Sequence, residues 1–68
     1  MDYTIEFEEE ADGRWLAEVP DLPGVLSYGQ TRQEAIERAQ ALSLRVLADR
    51  IEHGESVPQM SNVFAVTP

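Results

Sequence analysis

Glu6, Glu8 and Glu18 are the first residues whose types and spacing could do chemistry. Clustered carboxylates hold the divalent cations of two-metal phosphodiester hydrolysis, so a residual metal-dependent nuclease is the reaction they would serve. Such a site needs acids that converge in a sheltered pocket with hydrogen-bonded support behind them. Here the acids alternate along strand-like stretches, with Arg14 among them. That pattern describes a solvated strand face, and no metal is expected.

His53 is the only histidine. Asp49 lies one helical turn before it and Ser56 follows shortly, which sketches a Ser-His-Asp set. Nothing around these residues supplies a nucleophile elbow or an oxyanion hole. The field at a helix C-terminus explains a histidine there more simply, and one histidine without clustered partners is a poor metal site. Gly13, Gly24, Gly29 and Gly54 are scattered, so no phosphate loop forms. No basic patch interleaved with aromatics offers a track for nucleic acid. The residues therefore predict binding rather than catalysis, with no catalytic residue and no cofactor.

The elements that must position these side chains follow from periodicity. Tyr3, Ile5 and Phe7 alternate with Thr4, Glu6 and Glu8, a strand with one wet face. Glu9 to Gly13 is polar and ends in Asp-Gly, a turn. Arg14 to Val19 is a second strand, antiparallel to the first because the connection is short. Trp15, Ala17 and Val19 share one face and Arg14, Leu16 and Glu18 the other; Trp15, Tyr3 and Phe7 are expected in the core. Pro20-Asp21-Leu22-Pro23-Gly24 cannot continue a strand, because proline lacks an N–H and has a fixed φ. It is a stiff turn into a third strand, Val25 to Tyr28. That strand's inward face stays open between Val25 with Ser27 and Leu26 with Tyr28.

Thr31 and Glu34 form a capping box ahead of a helix predicted from Arg32 to His53, with Gly54 as its stop. Ala35, Ala39, Leu42 and Val46, flanked by Ile36 and Leu47, make its core stripe. Ala41, Leu44, Ala48 and Ile51 make a second stripe on nearly the opposite side. A helix of this span is about 33 Å long, whereas strands of five or six residues reach only about 17–20 Å. The sheet cannot cover the helix, so the second stripe is expected to meet another subunit. Arg50 projects near the core stripe, its head reaching toward the carbonyls at the helix end. Val63-Phe64-Ala65-Val66 reads as a short fourth strand, parallel to strand one by the handedness of its crossover. The predicted fold class is α+β: a three-stranded antiparallel meander, one long helix and a fourth strand, in the order 3-2-1-4.

The totals bound the rest. The chain has 68 residues, room for a single domain over 1–68. With no cysteine it lacks disulfides and thiolate metal sites, so self-association is the remaining help for so small a core. Net charge is −8, from 13 acids against 5 bases. Such a surface repels nucleic-acid phosphates and anionic lipid, and either attracts a basic partner or simply keeps the protein soluble. The acidic, strand-like start is not a signal peptide, and no apolar run spans a bilayer, so the expected compartment is the cytoplasm.

In this order the parts resemble a known family. Trp15-Leu16-Ala17-Glu18-Val19 and the PDLPG turn, then Tyr28-Gly29-Gln30-Thr31, then Glu34-Ala35 opening a long helix, are similar to the HicB family of antitoxins, the UPF0150-like proteins. Residues 3 to about 58 are covered. The resemblance implies a partial, degenerate ribonuclease-H-like fold without that fold's activity. It implies membership of a toxin-antitoxin system, with a HicA-like partner: a small, basic, RNA-cleaving toxin of double-stranded-RNA-binding fold. Many members also carry a C-terminal DNA-binding domain, for which a chain ending at Pro68 leaves no room, so the toxin-binding part alone is expected. Proposed toxin contacts are Glu8, Glu9, Glu10 and Asp12 of the hairpin. Asp21 and Leu22 are the turn residues expected to touch a partner. The alternative is an orphan homo-oligomeric interaction module, a dimer or tetramer, without a toxin.

Overall fold

The computed structural model describes residues 3–57. Three strands, β1 (Glu6–Glu9), β2 (Trp15–Glu18) and β3 (Leu26–Gly29), precede one helix, α1 (Arg32–Glu52). The strands form one antiparallel sheet in the order β1-β2-β3. The expected α+β meander with a single helix is therefore present. The fourth strand at Val63 to Val66, and with it the order 3-2-1-4, lies outside the described residues.

Each connection has a local cause. In the first hairpin, Glu10 N–H donates to the Arg14 carbonyl at 2.7 Å and Gly13 N–H to the Glu10 carbonyl at 3.0 Å. The PDLPG segment is two consecutive turns. Leu22 N–H donates to the Val19 carbonyl and Val25 N–H to the Leu22 carbonyl, both at 3.0 Å. A proline occupies the second position of each turn, where its fixed φ is already correct. Gly24, third in the second turn, has φ +86, which completes a type II pattern that a side chain would strain. Val19 N–H then closes the loop onto the Val25 carbonyl at 3.0 Å.

At the start of α1, Thr31 Oγ1 accepts from Glu34 N–H at 3.1 Å. Glu34 Oε1 accepts from Gln30 N–H at 2.9 Å, one residue further back than an ordinary capping box. Gly29 is required by proximity: a Cβ built there would lie 2.5 Å from the Ala35 backbone nitrogen. The glycine lets the end of β3 press against the first turn of the helix, and Ala35 is fully buried there. At the other end, Glu55 N–H donates to the Arg50 carbonyl at 2.8 Å and Gly54 N–H to the Ile51 carbonyl at 3.1 Å. That pair is a Schellman motif, with Gly54 at the stop position expected of it.

Ala17, Ala35 and Ala39 form one core cluster, and Val19, Leu22, Val25 and Leu47 form another. The buried row of α1 is Ala35, Ala39, Ser43 and Leu47. It runs one residue to the side of the predicted stripe, leaving Leu42 and Val46 half-buried. Ser43 is polar, but its hydroxyl donates to the Ala39 carbonyl at 2.7 Å and so enters the core satisfied. Phe7 also departs from expectation, at 46 % exposed. The helix lies mainly over β2 and β3, leaving the helix side of β1 open. The Phe7 ring rests there between Trp15, at 6.3 Å between centroids, and the Arg32 guanidinium, at 5.2 Å.

The length mismatch is present and partly relieved. Strands of four residues reach about 13 Å, against about 32 Å for a helix of 21 residues. Leu22 extends the cover by packing with Leu47, and Val57 packs against the same cluster. Beyond them Ile51 stays 49 % exposed.

Candidate partner-binding surface

In the described interior every buried side-chain nitrogen or oxygen has a hydrogen-bond partner. Among the described residues no three His, Asp or Glu side chains are placed to hold a metal ion. His53 Nδ1 lies 2.8 Å from the Asp49 carbonyl. A carbonyl only accepts, so Nδ1 carries the proton and donates. The Asp49 carboxylate is further off, at 3.4 Å. The histidine ties down the last helical turn, and Ser56 is exposed rather than held against it. No described helix is long and apolar enough to cross a membrane.

What remains is surface. Directly opposed residues of neighbouring strands share a face. Phe7, Ala17 and Ser27 form one cross-strand row, and because Ala17 is fully buried against the helix that row faces inward. Val25, Ser27 and Gly29 are therefore the inward set of β3. Glu9, Trp15 and Gly29 make a second inward row, and the outer face carries the remaining two: Glu6, Glu18 and Leu26, then Glu8, Leu16 and Tyr28. Leu26 and Tyr28 are 44 % and 37 % exposed and Leu16 is half-buried. Arg14 lies over the Tyr28 ring at 4.5 Å, a cation–π contact on this face. Glu6, Phe7, Glu8, Leu16 and Glu18 line a depression of about 280 Å³ here.

The expected contact residues divide. Glu8 and Glu9 are exposed at the end of β1, and Glu10 is half-buried at the start of the turn. Asp12 is engaged within its own hairpin. Its Oδ1 accepts from Arg14 N–H at 3.0 Å and its Oδ2 from Arg14 Nε at 2.8 Å. The Arg14 backbone N–H above all, and its guanidinium as well, hold the Asp12 carboxyl below its ordinary pKa. Asp21 is exposed in the PDLPG turn. Leu22 is a correction: it is fully buried, packed with Val19, Val25 and Leu47, and presents nothing to a partner. The double turn points its side chain inward, which the bare string of residues did not indicate.

Ala41, Leu44, Ala48 and Ile51 are all exposed on the far side of α1, Leu44 at 66 %. Arg50 is half-buried. The residues that sequence reasoning missed are Leu26 and Tyr28. Their alternation was visible, but choosing their face needed the register with β2.

Comparison with known proteins fits this architecture. Residues 3–67 match the model of the HicB_like antitoxin of bacterial toxin-antitoxin systems. A UPF0150 protein of Thermoplasma acidophilum is 29% identical over 59 residues, covering 87% of this chain and 86% of that protein. Antitoxin HicB 1 of Photorhabdus laumondii is 31% identical over 58 residues, covering 85% of this chain but only 37% of its own length. The crystal structure of the N-terminal domain of the Burkholderia pseudomallei antitoxin HicB superposes with a TM-score of 0.78 at 28% identity, covering 100% of this chain and 74% of that one. With the family model spanning nearly the whole chain, this protein belongs to the HicB-like antitoxin family of bacterial toxin-antitoxin systems.

Proposed function

We propose that the protein binds and neutralises a small, basic, mRNA-cleaving toxin of the HicA type, in the cytoplasm and without catalysis of its own. Family membership supports the antitoxin role. The observation that carries the choice of partner is the acid surface of the hairpin. Glu6, Glu8, Glu9 and Glu18 are exposed, and among the described residues none is paired with a cation. A surface of this sign steers a basic protein toward it and turns nucleic acid away. In this reading Glu8, Glu9 and Glu10 at one end of the sheet and Asp21 at the other act on encounter, and Asp12 mainly holds the hairpin in shape. A degenerate ribonuclease-H-like sheet, completed by a fourth strand beside β1, belongs to the same reading.

The helix stripe favours a second reading, in which the chain is a homo-oligomeric interaction module without a toxin. Ala41, Leu44, Ala48 and Ile51 would then make its contact between copies. Genetic rescue separates the two. Co-expression should restore growth to cells producing the small basic product of the adjacent reading frame, and the two proteins should co-purify. Growth arrest that persists despite full expression of this chain refutes the toxin-neutralising reading.

The steering role has its own test. Changing Glu8, Glu9 and Glu10 together to lysine should slow association with the toxin about tenfold or more at low salt. An unchanged association rate would remove these residues from the encounter surface.

A further inference from the structure

We propose that the outer face of the sheet, centred on Leu16, Leu26 and Tyr28 and rimmed by Glu6, Glu8 and Glu18, is the surface on which the toxin docks. The inference rests on the toxin-neutralising reading and assigns its anchoring contact. An antiparallel sheet with one open face normally places polar residues outward. Here three of the positions in the two outer rows are apolar. The patch is built like an interface centre: two leucines beside Tyr28, whose ring lies under the Arg14 guanidinium, with Glu6 and Glu8 on the outer strand and Glu18 at the end of the central one.

The charges select the occupant. Glu6 stands directly opposite Glu18 on this face, with no cation among the described residues paired to either. Like charges directly opposed weaken a sheet, so the fold gains nothing from this arrangement. A second copy docked on the same face would bring the same carboxylates together again. A protein presenting lysines or arginines around an apolar centre would neutralise the rim and cover the leucines and Tyr28 in one contact. The hairpin acids then set the rate of encounter, and the sheet face sets how long the complex lasts.

The test uses a substitution with opposite effects on fold and binding. Glu18→Arg places a guanidinium opposite Glu6, so the melting temperature of the free protein should rise. Affinity for a catalytically inactive form of the adjacent gene's toxin should fall at least about tenfold. Leu26→Lys, on the exposed face, should lower affinity by a similar factor with unchanged circular dichroism. If the wild-type chain binds the toxin and both variants bind equally well, the docking assignment is overturned while the toxin reading stands. If the wild-type chain does not bind the toxin, both fall together. If Leu26→Lys instead changes the sedimentation coefficient of the free protein and leaves toxin affinity intact, the face belongs to a second copy and the assignment is wrong.

Discussion

At the residue scale, the family motif G-x-T-x-x-E-A has a physical reading. Gly29 permits close approach, Thr31 Oγ1 accepts from the helical N–H of Glu34, the Glu34 carboxylate accepts from Gln30 N–H just ahead of the helix, and Ala35 is small enough to be the point of contact. Gly29→Ala should therefore destabilise the protein by about 1–3 kcal/mol, because backbone cannot move aside as a side chain can. Whole-domain stability at this length is on the order of 3–10 kcal/mol, so the loss is visible in a urea titration. Asp12 makes a second prediction. Its folded pKa is depressed, so its contribution is present above the ordinary aspartate value of 3.8 and is lost as pH falls below that value through the folded pKa. Asp12→Asn should flatten the melting temperature against pH in that acid window relative to the unsubstituted protein. A parallel acid limb in the Asp12 variant would show that the hairpin hydrogen bonds do not contribute.

At the element scale, the PDLPG turn is part of the core rather than a connector. It places a fully buried leucine over a stretch of helix that the short strands cannot reach. Leu22→Ala should cost about 2–5 kcal/mol, a large part of the total. Leu44→Ala, in the same helix as Leu47 but exposed, should stay within about 0.5 kcal/mol in the isolated chain. Equal midpoints for the two variants in denaturant would contradict the packing described. The first hairpin is different in kind. Its turn is polar, and Glu6 opposite Glu18 costs about 0.2–1 kcal/mol. The stable half of the sheet is thus the half beneath the helix.

At the scale of the whole molecule, the helix has two apolar sides and one sheet. The inner row is packed by Ala17 and Trp15 of β2, by Ile5, Val19 and Val25 beside the strands and by Leu22 of the turn, whereas Ala41, Leu44, Ala48 and Ile51 are exposed among the described residues. If copies of the protein pair through this stripe, Leu44→Glu should lower the molecular mass seen in analytical ultracentrifugation to that of the monomer, with helicity unchanged. A wild-type chain already monomeric at micromolar concentration would refute the pairing. On the proposed reading the two surfaces are separable, the helix stripe serving copies of the chain and the acid-rimmed sheet face a partner of opposite charge.

The sequence alone was sufficient for everything set by local geometry. Alternation gave the strands, the T-x-x-E box and Gly54 bounded the helix, and two prolines with a glycine marked the turn, because these features act over a few residues. Only the tertiary structure decided which way side chains point once elements meet. Leu22 turns inward because two successive turns share one loop, and Phe7 stays open because the helix leans toward β3. Ser43 is buried because its hydroxyl can return to its own helix. Leu26 and Tyr28 became a surface only through register with β2, since a shift of one residue would exchange the two faces of the strand. The charge that suggested a basic partner was legible in the composition, but where that partner can settle depends on which acids end up side by side.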